Sequence, residues 1–351
     1  MGKMIKAMGV WCLGLALCWA AFPVGVSAKT FQLTYSNFFP PSHIQSQLAE
    51  AWCKEVEKRT DGQVKIAYYP GGTLTKAAQC YDGVVNQRSD IGLSLLAYSR
   101  GRFPLMDVIN LPFGNPNGQF ATAVFNEIND KFAPEELSDT HVLYLHAHGP
   151  GLIHTKDKEI HKLEDLKGLK IRGAGIVADT IKALGASPVT MPMPELYQAL
   201  QKGVVEGAFY PVEVNKGWKM AEVVKYGIGN YQIAYGLGFF VVMNKAKWDS
   251  LPADIQETIT QINHEWAIKH GKAWDTSDYN GMRLALREGN SFIGIPEEEA
   301  KRWKEAVQPV YETYLQKCEE KGLPGKEVFD FLMKSLEQYK NGKFESDYLA
   351  Q

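Results

Sequence analysis

Residues 167–175 read Lys167-Gly168-Leu169-Lys170-Ile171-Arg172-Gly173-Ala174-Gly175. A glycine turn leads into a short strand, the strand closes on an arginine, and two glycines let the chain bend at once into a helix over Val177 to Leu184. The alternation continues with strand Pro188 to Met191, helix Pro194 to Lys202 and strand Glu206 to Tyr210. Upstream the same order occurs once before. Strand Thr30 to Tyr35 is followed by helix Ser42 to Arg59, with an apolar stripe at Leu48, Trp52 and Val56, and by strand Val64 to Tyr69. Helix Thr75 to Val85, strand Asp90 to Leu96 and strand Val142 to His148 complete that run. Two runs of alternation predict an α/β fold with helices packed on two sheets.

Length agrees with two lobes, because one hydrophobic core stops growing at about 250–300 residues and the chain has 351. With 45% hydrophobic and 22% charged residues, disordered, collagen-like and coiled-coil classes are excluded. A formal charge of -2 argues against a nucleic-acid partner held by bulk electrostatics. Pro252 to Glu288 contains no internal proline, and Ile255, Ile259, Ile262, Trp266 and Ile268 recur at helical spacing. At 1.5 Å per residue that helix reaches about 50 Å, enough to run across both lobes. Helices Glu297 to Lys321 and Lys326 to Lys340 finish the chain.

Lys3 and Lys6 precede an uncharged run from Ala7 to Ala28 that ends in Val26-Ser27-Ala28. This predicts a cleavable secretory signal peptide over residues 1–28, with an uncleaved anchor as the alternative. The other long uncharged stretch, Tyr226 to Asn244, holds Asn230, Gln232 and four glycines, and reads as strands and turns. Export leaves Cys53, Cys80 and Cys318 in a compartment where disulfides persist. Cys53 and Cys80 fall on consecutive helices and are expected to pair, which on chain entropy is worth roughly 3.5 kcal/mol. Cys318 is left as a buried helical thiol. No cysteine has metal-ligand spacing.

Arg172 at a strand end supplies the planar, permanently charged fork that a carboxylate needs. A rival reading uses the same turn: Gly173-Ala174-Gly175-Ile176-Val177-Ala178 fits the G-x-G-x-x-A dinucleotide fingerprint. Its ribose-binding acid is not in place, since Glu195 opens a helix behind Pro192 and Pro194. His141, His146, His148, His154 and His161 crowd one window, and His146 and His148 share one side of a strand, which is how a zinc site begins. No acid or cysteine nearby completes such a shell, and strand-packing histidines are the simpler reading. Aromatic residues gather where strands should end, at Phe38, Phe39, Tyr98, Phe209, Tyr210, Tyr231 and Tyr235. Their convergence would make an apolar cavity with one cationic anchor, suited to a small organic acid with a carbon skeleton or ring. The chain has no G-x-S-x-G elbow and no phosphate loop.

In order along the chain, Tyr69-Pro70-Gly71-Gly72-Thr73-Leu74, Leu111-Pro112-Phe113 and Leu166-Lys167-Gly168-Leu169-Lys170-Ile171-Arg172 are followed by Met191-Pro192-Met193-Pro194-Glu195-Leu196-Tyr197-Gln198-Ala199-Leu200. Gly203-Val204-Val205-Glu206-Gly207 and Met243-Asn244 with Trp248 and Leu251-Pro252 come after. Together these resemble the solute-binding subunit of a tripartite ATP-independent periplasmic (TRAP) transporter, of the dicarboxylate-binding (DctP-like) type, over roughly Thr30 to Leu336. The resemblance implies a two-lobed periplasmic binding protein, type II-like, with the long helix spanning both lobes. Residues 29–150 plus 239–281 would form lobe I, and residues 151–238 plus 282–351 lobe II. It implies no catalysis, no cofactor and no metal. The partners would be a small organic acid and the small and large membrane subunits, and the location the periplasm.

Carried over, Arg172 becomes the carboxylate anchor. The candidate ligand-contacting set is Arg172, Tyr210, Phe209, Phe39, Tyr98, His148, Tyr235 and Glu213. Tyr210, within Glu206-Gly207-Ala208-Phe209-Tyr210-Pro211, stands where the family often has a ligand-touching asparagine. Gly151-Leu152 stands where some members place a second arginine. The expected ligand is an apolar or aromatic monocarboxylate or 2-oxo acid. C4-dicarboxylate binding, or an exported dehydrogenase using Gly173 and Gly175, is the alternative.

Overall fold

A computed structural model describes residues 30–349. The expected signal peptide, with Cys12 and Cys18, lies outside those residues. The first run is β1 (Phe31–Asn37), α1 (Ile44–Arg59), β2 (Val64–Tyr69), α2 (Cys80–Val85), β3 (Ile91–Leu95), α3 (Gly118–Phe132) and β4 (Thr140–Ala147). The chain then crosses into β5 (Gly151–Thr155), β6 (Lys170–Gly173), α4 (Val177–Ala183), β7 (Ser187–Thr190), α5 (Met193–Gln201), β8 (Gly207–Pro211), α6 (Val214–Gly217) and β9 (Tyr226–Gly229). It crosses back into β10 (Gly238–Asn244) and α7 (Lys245–Asp249), and continues through α8 (Ala253–Arg287). β11 (Ser291–Gly294), α9 (Glu297–Ala306), α10 (Gln308–Glu320) and α11 (Gly325–Lys340) complete it.

The strands form two sheets, ordered β2-β1-β3-β10-β4 and β11-β9-β5-β8-β6-β7. Each sheet is parallel apart from the strand that the chain enters directly from a strand of the other sheet: β10 runs antiparallel to β3 and β4, and β5 to β8 and β9. An entering strand begins where the parallel strands end. The two strand-to-strand crossings, β4 to β5 and β9 to β10, therefore lie at the carboxyl ends of the parallel strands, the edge at which open α/β sheets bind ligands. The crossings are tied together, since Gly151 N–H donates to the Tyr235 carbonyl at 2.9 Å.

α8 reaches both lobes, as its length predicted. Trp52 Nε1 donates to Asn263 Oδ1 at 3.0 Å, and Trp266 Nε1 to the Leu48 carbonyl at 2.7 Å. About two and a half turns beyond Trp266, Asp275 accepts from Gly118 N–H of α3, and Asp278 from Glu213 N–H after β8. Gly281 lies against the backbone of Val212 and Glu213, where any β-carbon would collide with the Val212 carbonyl. α11 returns to the first lobe: Asn117 Nδ2 donates to Tyr339 Oη at 2.5 Å, and the Phe120 and Tyr339 rings are 4.9 Å apart.

Three expectations are corrected. The segment Thr75 to Val85 opens as a 3-10 turn, Ala77–Gln79, before α2. Glu297 to Lys321 is two helices, because Pro309 lacks the N–H that a continuous helix needs and sits instead in the first turn of α10. The Cys53–Cys80 disulfide does not form, and both residues are buried free thiols, as is Cys318. β1 leads through α1 to β2 on one side, whereas β2 leads through α2 to β3 across β1, so right-handed crossovers place the two helices on opposite faces of the sheet. Cys53 sits on the face of Tyr35, whose ring packs on Trp52, while Cys80 Sγ lies beside Gly92 and 3.6 Å from the Leu93 carbonyl.

Candidate functional site

Between the lobes, at the carboxyl ends of the strands, lies a narrow slot. All eight residues expected at the site line it: Arg172 from the end of β6, Phe209 and Tyr210 from β8, Glu213 just beyond, and Phe39, Tyr98, His148 and Tyr235. His148 belongs to the first crossing and Tyr235 to the second, and their rings meet edge to face at 5.3 Å. Tyr231, grouped with these aromatics in the sequence, is 52% exposed and lies outside the slot.

The Arg172 side chain is 1% exposed. Its Nε and Nη2 donate to the Met191 carbonyl at 3.0 and 2.9 Å, and Nη2 also approaches Tyr98 Oη at 3.5 Å. Pro192 restricts Met191 to an extended backbone, and with Pro194 it shapes the turn that presents that carbonyl. Arg172 makes no ion pair among the described residues. Tyr98 Oη accepts from Met193 N–H at 2.8 Å, and burial raises its pKa, so it stays a phenol with its own proton free to donate.

His148 Nδ1 lies 2.6 Å from the Gly149 carbonyl, an acceptor, so Nδ1 carries a proton. Burial pushes the His148 pKa down to about 4, which leaves Nε2 as a bare acceptor, and it has no partner. Glu213 Oε2 is 3.1 Å from His43 Nε2, a link from the second lobe to the first with both side chains buried. Tyr210 stacks on His154 at 4.0 Å and donates its hydroxyl to Asn215 Oδ1 at 3.3 Å. Over Gly151 lies the Tyr235 ring, so closely that a β-carbon there would strike it.

Sequence reasoning missed Trp218, Phe239 and Trp274, which with Phe38 build an aromatic wall. Phe38 stacks on Trp218 at 6.1 Å, and Phe239 on Trp274 at 5.2 Å. Trp274 extends the helical stripe Ile262, Trp266, His270 in steps of four, a signal that was available.

The rival sites disperse. His141 stacks on Trp248, His146 on His270, His154 on Tyr210, and His161 is exposed beside Glu159. Among the described residues no three metal-ligating side chains converge. Gly175 is covered by Ala97 of the other lobe, whose Cβ would be 2.9 Å from any β-carbon, so the glycine turn offers no open cradle for a pyrophosphate.

Two α/β lobes joined by paired crossings, with a closed aromatic slot and a buried cation between them, define a solute-binding protein rather than a surface scaffold. Residues 35–317 match the sequence profile of DctP, bacterial extracellular solute-binding protein, family 7, and the chain belongs to that family. TRAP solute-binding proteins of this kind are periplasmic, bind small organic ligands and work with membrane subunits.

The C4-dicarboxylate-binding periplasmic protein DctP of Rhodobacter capsulatus is 27% identical over 316 residues, covering 87% of this chain and 91% of that one. A TRAP periplasmic solute-binding protein from Desulfovibrio salexigens, solved as an open complex, is 34% identical with a TM-score of 0.78, covering 90% of this chain and 98% of that one. A TRAP solute-binding protein from Rhodoferax ferrireducens, in complex with copurified benzoate, is 30% identical with a TM-score of 0.83, covering 89% and 99%.

Proposed function

We infer that this protein captures a small monocarboxylate with an aromatic or apolar body, a 2-oxo acid included, and delivers it to the membrane subunits of a TRAP transporter without chemistry of its own. The carrying observation is Arg172, a guanidinium 1% exposed that lacks a carboxylate partner. A buried charge is costly unless paired, so an anionic ligand is its natural counterion. Tyr98 adds a hydroxyl donor beside it. Stacked rings of Phe38, Trp218, Phe239 and Trp274 suit a flat apolar body.

Tyr235 fills the space over Gly151, where a second arginine would need room, and this favours one anionic group over two. The benzoate complex of the Rhodoferax ferrireducens relative is consistent with that preference, while the Rhodobacter capsulatus relative keeps a C4-dicarboxylate as the competing ligand. We take residues 29–150 plus 239–281 and residues 151–238 plus 282–351 as the two lobes that close on the ligand, with α11 strapped back onto the first. Residues 1–28 are removed on export to the periplasm.

A thermal-shift screen tests the ligand class, because a ligand at 100 times its dissociation constant adds about 2.7 kcal/mol. Aromatic monocarboxylates such as benzoate or phenylpyruvate should raise Tm. Stabilisation by short aliphatic dicarboxylates alone overturns the reading.

A further inference from the structure

The slot holds more acceptor chemistry than an unsubstituted aromatic acid can use. His148 is 2% exposed, its Nδ1 proton is committed to the Gly149 carbonyl, and its Nε2 lone pair has no partner although the ring lines the cavity. The Glu213 carboxylate lines the same cavity and uses Oε2 on His43. His148 Nε2 offers no proton to a ligand. Bare carbon placed here would leave that buried acceptor unpaired, and a second carboxylate would set its lone pairs against the Nε2 lone pair. A hydroxyl satisfies the site, since it brings one short, neutral donor.

We propose that the ligand carries a hydroxyl group that donates to His148 Nε2, so that the protein selects a hydroxylated aromatic acid. This rests on the preceding inference that an aromatic monocarboxylate occupies the slot. Arg172 and Tyr98 hold the carboxylate, and His148 reads the substituent.

Titration calorimetry with benzoate, the three hydroxybenzoate isomers and their methoxy counterparts, on the wild type and on His148→Phe, tests it. One hydroxybenzoate should bind roughly tenfold to a hundredfold tighter than benzoate and than its own methoxy analogue, which cannot donate. In His148→Phe that ratio should fall toward one. If no hydroxybenzoate exceeds benzoate in the wild type, or if the preference survives in His148→Phe, the hydroxyl reading is overturned while the aromatic-acid reading stands. If no benzoate binds at all, both fall. The wild-type series decides the matter even where the variant does not fold.

Discussion

Arg172 and Met191 are joined by two hydrogen bonds from one guanidinium to one carbonyl, at 3.0 and 2.9 Å. A carbonyl is a dipole without net charge, so the contact fixes the direction of the fork and leaves its positive charge uncompensated. Orientation is provided by the protein, and on the proposed reading neutralisation is left to an anionic ligand.

The thiols follow from sheet topology. Burial raises the pKa of Cys53, pushes Cys80 up to about 12 and Cys318 up to about 11, so none is a reactive thiolate near neutral pH. The mature protein, kept free of reductant, should resist a thiol reagent while folded and expose three thiols on unfolding. Recovery of a single thiol after unfolding would show that Cys53 and Cys80 are bridged.

The His43–Glu213 contact, 3.1 Å long, links the lobes in a buried setting. Removing one member of such a pair strands the other and costs on the order of 3–5 kcal/mol. His43→Phe should therefore lower Tm clearly, and the double variant His43→Phe/Glu213→Leu should recover part of the loss. A His43→Phe protein as stable as the wild type would mean that the contact contributes nothing to the closed form.

His154 gives a pH-dependent stability with a defined sign. Burial pushes its pKa down to about 3 in the folded protein, against about 6.5 in the unfolded chain. Above pH 6.5 it is neutral in both states and makes no difference. Below that the unfolded chain takes up a proton that the folded protein refuses, so stability is lost at about 1.4 kcal/mol per pH unit until the folded pKa is reached. His154→Phe lacks this penalty and should gain on the wild type as pH falls from 7 to 5 in calorimetric unfolding. A gap between the two proteins that does not change with pH would contradict the buried, neutral histidine.

Much of this was readable in the sequence because parallel strands end at the cleft: Arg172, Phe209 and Tyr210 are placed there by the end of a strand. Phe239 and Trp274 were not, since their position depends on where the chain re-enters the first sheet and how α8 docks across both lobes. α3 escaped notice although Asn117 caps it, accepting from Phe120 N–H at 2.7 Å, and Phe120, Val124 and Ile128 recur at steps of four. The disulfide expectation failed because the order of strands in the sheet, which the sequence reading did not assign, decides it. Consecutive helices whose strands lie on either side of β1 belong to opposite faces of the sheet, and Cys53 and Cys80 are separated by its thickness.

Calorimetric titration of benzoate into the wild type and into Arg172→Met, with thermal unfolding recorded to show that the variant is folded, tests the anchor most directly. Losing one partner of a buried, hydrogen-bonded charge pair costs on the order of 2–5 kcal/mol, so the variant should bind about 30-fold more weakly or worse. Equal affinity in the two proteins would remove Arg172 from the binding site and contradict the role of its buried charge.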